Sequence, residues 1–161
     1  MAVPLINSIK KEGEFIMKDK KILLVDDEVI FTKNMSRLLE DRGYHVTVVN
    51  SGDEAIKALD QNKYDVMVLD MKMPGMDGLT TLKEVRKLQL FTETLILTGH
   101  GAIDTAMEAI KLGAYDYLTK PCEVDELVEK IEDAWEKNNN NGKKINLWSF
   151  KRQEEKIRCL P

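Results

Sequence analysis

From Lys21 onward the chain alternates short apolar runs with longer stretches whose apolar residues recur at helical spacing. Ile22–Val25 reads as a buried strand that stops at Asp26-Asp27-Glu28. Val29 to Arg42 follows with Ile30, Phe31, Met35, Leu38 and Leu39 in a helical pattern, and Gly43 stands where such a helix closes. Tyr44–Val49 alternates as a strand. Ser51 caps a second helix carrying Ala55, Ile56 and Leu59, with Asp53 and Glu54 in its first turn, where the helix dipole favours acids. Next come a strand at Tyr64–Asp70, a helix over about Leu79–Leu88, and a strand at Thr94–Thr98. A helix at Ile103–Leu112 is ended by Gly113, a strand spans Tyr115–Thr119, and a fifth helix runs from Val124 to Trp135. Five βα units in succession predict an α/β fold: a parallel sheet covered by helices on both faces and joined by right-handed crossovers.

The polar residues that end these strands carry the chemistry. The third strand is apolar and largely β-branched until it stops at Asp70, and the turn residues Pro74, Gly75 and Gly78 follow. A carboxylate there either caps the next loop or reacts, because ligands of open parallel sheets sit at the carboxyl ends of the strands. The first strand ends on Asp26-Asp27, the fourth on Thr98 and the fifth on Thr119-Lys120-Pro121, so all these residues gather on one rim. Three carboxylates brought together repel one another unless a cation neutralises them. Oxygen-only ligands facing solvent suit Mg2+. With Lys120 as a positive point charge and Thr98 as a hydroxyl donor, the set describes an aspartyl-phosphate site. Asp70 would attack while metal and Lys120 neutralise the phosphoryl oxygens.

Composition narrows the setting. The 161 residues suit one domain with a modest extension, and 43% hydrophobic with 32% charged residues is ordinary for a globular protein. A net charge of −4 argues against direct nucleic-acid binding. Cys122 and Cys159 have neither disulfide-framework nor CxxC spacing. No apolar run approaches the roughly 18 residues of a membrane span, and no signal peptide is legible, so a cytoplasmic location is expected. Residues 1–19 keep neither helical nor strand period and are expected to be a disordered or misassigned extension. Our hypothesis is that translation starts at Met17, since Lys11-Glu12-Gly13 could be encoded by a purine-rich ribosome-binding sequence. Native protein beginning at Met1 would refute it.

Several short signatures occur together in order: the Asp26-Asp27 pair after the first strand, Asp70 followed by Met73-Pro74-Gly75, Thr98-Gly99, and Tyr117 three residues before Lys120-Pro121. On these residues the segment 20–137 resembles the receiver domain of two-component response regulators. The run from Thr98-Gly99-His100-Gly101 to Lys120-Pro121 is most similar to receivers of the nitrogen-regulator type. The resemblance implies a flavodoxin-like doubly wound (βα)5 fold with strand order 2-1-3-4-5. It implies that Asp70 is the phosphoacceptor, that Asp26, Asp27, Asp70 and the Lys72 backbone carbonyl hold Mg2+, and that Lys120 contacts the phosphate. Thr98 would be the switch hydroxyl and Tyr117 the aromatic switch. A sensor histidine kinase would be the donor, and the surface of the fourth helix, fifth strand and fifth helix would contact a downstream protein or a second copy. The protein would catalyse only its own phosphorylation and dephosphorylation, and is not expected to be an enzyme with an external substrate.

Receivers of that type normally drive an ATPase module and a DNA-binding helix-turn-helix. Here about two dozen residues follow Trp135, too few for either. A stand-alone receiver signalling by protein contact is therefore expected; the alternative is a phosphorelay intermediate or phosphate sink without its own output. A haloacid-dehalogenase-type phosphatase would want an acid two residues after the nucleophile, where this chain has Lys72. A flavin carrier would want a phosphate loop after the first strand, where acids stand. Glu28 is read as a helix-start residue rather than a third metal acid, Lys72 as a residue tuning acyl-phosphate hydrolysis, and His45 and His100 as isolated histidines without a relay role. Residues 138–161 read as a polar break, Asn138 to Gly142, then a basic tail with Trp148 and Phe150. That tail is either a docking or membrane-surface segment or a disordered end.

Overall fold

A computed structural model describes residues 20–99 and 102–140. The readings of the 1–19 extension, His100 and residues 141–161 lie outside the described residues. Five strands form one parallel sheet in the order β2-β1-β3-β4-β5: β1 Lys21–Val25, β2 His45–Val49, β3 Val66–Asp70, β4 Glu93–Thr98 and β5 Asp116–Thr119. The helices are α1 Val29–Asp41, α2 Gly52–Gln61, α3 Gly78–Lys87, α4 Ile103–Lys111 and α5 over 124–140.

The three central strands β1, β3 and β4 are apolar on both faces because both faces are covered. Leu23, Val25, Met67, Leu69 and Ile96 pack with Ala55, Leu59, Leu82, Val85, Ala106 and Ala109, under α2, α3 and α4. The alternate residues Ile22, Leu24, Val66, Val68, Leu95 and Leu97 pack with Met35, Leu39, Leu127 and Ile131, under α1 and α5. Each fully buried Leu or Ile contributes about 1.5–3 kcal/mol. The edge strand β2 alternates instead, with His45 and Thr47 exposed.

Helix ends follow the local chemistry. Ser51 accepts from the Glu54 N–H at 3.2 Å, and Glu54 in return accepts the Asn50 N–H at 2.9 Å. Asp77 caps α3 by accepting the Thr80 N–H at 2.8 Å, which starts the helix at Gly78 rather than Leu79. Two expectations are corrected. The buried face of α1 is Thr32, Met35 and Leu39, whereas Ile30 is 79% exposed and Leu38 42%, because one stripe of a 3.6-residue period meets the sheet. The last helix also does not stop at Trp135. It continues to residue 140, through asparagines read as a break, and the Asn138 amide donates to the Phe91 carbonyl.

At the amino end of the sheet, α5 is tied down by a buried polar cluster. Lys20 is 3% exposed, pairs with Glu132 and lies 3.9 Å from the Trp135 ring centroid, and the Tyr44 hydroxyl donates to the other Glu132 oxygen. Burial, and then the Glu132 carboxylate, hold the Tyr44 phenol well above its ordinary pKa.

Candidate functional site

The carboxyl ends of β1, β3, β4 and β5 meet as expected. Asp26 follows β1 directly and is fully buried; its N–H donates to the Val49 carbonyl, and its own carbonyl accepts the Asn50 amide at 2.8 Å. Asp70 closes β3 at 5% exposure, and Asp27 is half-buried. Carboxylate oxygens of Asp26, Asp27 and Asp70 all lie within 4.8 Å of one another. Lys120 enters from β5, where its N–H donates to the Thr98 carbonyl at 2.7 Å. Its ammonium stands 2.5 Å from Asp26, 3.6 Å from Glu28 and 3.9 Å from Asp70.

Electrostatics follow from this crowding. Burial first, and then the neighbouring Asp26, raise the Asp70 pKa to about 6, against the pull of Lys120 and the Lys72 N–H. Burial alone would depress the Lys120 ammonium, but the hydrogen bond to Asp26 and the attraction of Asp70, Asp26 and Glu28 outweigh it and leave the pKa raised. The site therefore holds more negative than positive charge. Its donors are all carboxylate oxygens, which fits a hard divalent cation such as Mg2+.

The remaining expected residues are placed as follows. Thr98 is fully buried at the end of β4, and its Oγ1 has no hydrogen-bond partner among the described residues. Tyr117 is half-buried, pairs in register with Ile96, and packs on the sheet face covered by α2, α3 and α4; by strand alternation Thr98 shares that face. Lys72 is exposed and lines a shallow cleft of about 460 Å3 shared with Thr105 of α4, while its N–H lies 3.4 Å from Asp70 Oδ1. Glu28 is the N-cap residue of α1, makes no side-chain cap hydrogen bond, and is not one of the three clustered acids.

Two residues had not been singled out for the site. Phe31, read as core, places its ring 4.5 Å from the Lys120 ammonium, a cation–π contact that no periodicity could reveal. Gly78 lies against the back of the loop that follows Asp70: a Cβ there would fall 2.3 Å from the Asp70 carbonyl oxygen and 2.6 Å from the Met71 Cα. Gly75, read as the loop's glycine, has φ +76° and open space around it. A glycine eight residues past a strand-ending acid was the available signal, but it equally marks a helix start.

Fold and rim together define a flavodoxin-like α/β domain with an acidic pocket at the carboxyl edge of its sheet. The chain belongs to the response regulator receiver domain family, whose model matches residues 22–132. It is 39% identical over 113 residues to the transcriptional regulatory protein ZraR of Escherichia coli (strain K12), covering 70% of this chain and 26% of that protein. It is 33% identical over 130 residues to the acid tolerance regulatory protein ActR of Rhizobium meliloti (strain 1021), covering 81% and 67%. Among solved structures it is similar to the Francisella response regulator 1452 receiver domain, with TM-score 0.69, 34% identity, and 74% of this chain and 98% of that one covered. NtrX from Brucella abortus gives TM-score 0.75 at 32% identity, covering 79% of this chain and 29% of that one. The chain thus spans about a quarter of ZraR. Among the described residues no helix is long and apolar enough to cross a membrane.

Proposed function

We propose that this receiver accepts a phosphoryl group on Asp70 from the phosphohistidine of a sensor histidine kinase, and that the acyl phosphate switches the surface of α4, β5 and α5. The observation that carries the reading is the Asp26, Asp27 and Asp70 cluster with Lys120 beside it, on the sheet rim of a chain that matches the receiver family. Asp26, Asp27 and Asp70, with the Lys72 carbonyl, would hold Mg2+, which supplies positive charge against the phosphoryl oxygens and the two non-reacting carboxylates.

The chain's own residues account for the rest. An Asp70 carboxylate oxygen attacks phosphorus as the P–N bond to the donor imidazole breaks, and the imidazole nitrogen leaves with that electron pair. Lys120, 3.9 Å from Asp70, swings from Asp26 to the new dianion. The unpartnered Thr98 hydroxyl donates to a phosphoryl oxygen, which vacates space on the face it shares with Tyr117 and lets that ring turn inward. Exposed Ile103 and Met107 on α4 belong to the surface this repacks, the contact site for a downstream protein or a second copy. Reversing a 1:99 balance of states takes about 5.5 kcal/mol of differential stabilisation, within reach of a few charge-assisted hydrogen bonds. Lys72, at the mouth of the loop, tunes hydrolysis of the acyl phosphate. No external substrate is turned over, and the protein works in the cytoplasm.

Intact-mass measurement after incubation with acetyl phosphate tests this. One phosphoryl group gained with Mg2+, and lost in Asp70→Asn or with chelator, is the expected result. No gain in the wild type would overturn it.

A further inference from the structure

At the end of the sheet opposite Asp70 lies a cleft of about 710 Å3 that the phosphorylation chemistry does not use. Its floor includes the nearly buried Leu59 and Tyr64, and its wall includes the exposed pair Leu90 (41%) and Phe91 (69%). Gln89, at φ 52°, turns the loop that presents this pair. The rim carries Asp60 and Asp65 against Lys21 and Lys63, so it is locally balanced in charge. Apolar side chains at the floor and wall, inside a polar and charged rim, suit an aromatic anchor.

The last helix leads to it. Asn138 of α5 lines the cleft and hydrogen-bonds the Phe91 carbonyl, and the described part of α5 reaches residue 140. The sequence continues with Gly142, a residue suited to reversing a chain after a helix, and then Lys143-Lys144-Ile145-Asn146-Leu147-Trp148-Ser149-Phe150. Trp148 stands eight positions beyond Asn140, a reach of up to about 27 Å when extended. Residues 141–161 hold six basic and two acidic residues, while residues 20–140 hold 15 basic and 23 acidic ones, so the segment and the domain are of opposite sign.

We propose that this cleft is the docking site of the chain's own segment 143–150, with Trp148 as the side chain that fills it. Covalent linkage gives the segment an effective concentration on the order of millimolar, so a weak pocket is filled in preference to a free ligand. Overall charge draws the segment to the domain, and the apolar cleft selects where it stops. Docking there leaves the Asp70 rim open.

The test uses the full chain with Trp135→Phe, which retains an aromatic ring beside Lys20 and leaves Trp148 as the sole tryptophan. Trp148 emission should be blue-shifted, and acrylamide quenching several-fold weaker, relative to the free 141–161 peptide. Both effects should be lost on adding Leu90→Ser and Phe91→Ser, which alter exposed side chains and should leave the circular dichroism spectrum unchanged. Quenching equal to that of the free peptide would overturn the proposal. So would protection that survives the two serines, or protection that disappears on dilution, which would make a second copy the occupant.

Discussion

Lys120 is held by Asp26 rather than by Asp70: its ammonium is 2.5 Å from the first carboxylate and 3.9 Å from the second. It acts as the counter-ion of the buried acid that follows β1, lies against the Phe31 ring, and is one short swing from Asp70, the proposed phosphoacceptor. Removing it leaves buried carboxylates uncompensated. Lys120→Met should lower stability by about 3 kcal/mol at neutral pH in chelator. Most of that loss should return when millimolar Mg2+ is added, as a thermal-melt series would show. A loss that Mg2+ does not restore would mean that Lys120 acts through packing.

The raised pKa of Asp70 makes its ionisation a cost to folding. Unfolded, the carboxyl titrates near its ordinary value of 3.8; folded, it titrates near 6. Below the first value both states hold the proton and nothing is lost. Between the two the unfolded state ionises alone and stability falls, and above the second the loss is complete. At 1.36 kcal/mol per unit this reaches at most about 3 kcal/mol. Asp70→Asn should therefore be more stable than wild type by about 2 kcal/mol at pH 8 without metal, with the gap closing towards pH 4. Denaturant melts across that range check it.

The buried Thr98 hydroxyl has no partner among the described residues, and an unsatisfied buried polar group costs about 1–3 kcal/mol. Thr98→Val should thus be neutral or stabilising by about 1 kcal/mol. The variant should still gain phosphate on Asp70 while failing to show the chemical-shift changes in α4 and β5 that the proposed switch predicts for the phosphorylated wild type. A marked loss of stability would mean that the hydroxyl has a partner in solution.

Glu28 and Asp27 are adjacent acids with different neighbours. Glu28 faces Lys120 at 3.6 Å from an exposed position, while Asp27 belongs to the oxygen cluster. Calorimetric Mg2+ titration should find Glu28→Gln within a few-fold of wild type, because an exposed ion pair contributes only about 0–1 kcal/mol. Asp27→Asn should weaken binding about tenfold or more. Equal losses would place Glu28 among the ligands.

Gly78 is required by close approach of the backbone rather than by its φ. A methyl group there meets the Asp70 carbonyl and the Met71 backbone, neither of which can yield cheaply. Gly78→Ala should cost about 1–3 kcal/mol and slow phosphorylation from acetyl phosphate, since the carbonyl that must shift belongs to Asp70, the proposed phosphoacceptor. Gly78→Ala phosphorylating at the wild-type rate would show that the loop relaxes elsewhere.

Much of this was legible from the chain alone. Each strand carries its own apolar run and stops at a polar residue, and in a parallel sheet with right-handed crossovers all those stops fall on one edge. Asp26, Asp27, Asp70, Thr98 and Lys120 could therefore be assembled on a rim from local pattern, and the Ser51 cap and the Gly43 and Gly113 helix ends are local chemistry too. What lay beyond reach depends on neighbours distant in sequence. That Lys120 pairs with Asp26, 94 positions away, and rests on Phe31 follows from how the chain beyond β5 meets the start of α1 at the carboxyl edge of the sheet. That α1 buries Thr32 and exposes Ile30 depends on which stripe meets the sheet, and apolar content alone does not select it. Tertiary contact also carried α5 to residue 140, opened the cleft beside Phe91, and left the Thr98 hydroxyl without a partner among the described residues. The order of elements and the kind of site were determined by the sequence, because hydrophobic period and strand termini are local. Only packing decided which charges pair, which glycine cannot change and which surfaces stay free, because each of these depends on atoms that the folded chain brings together from different elements.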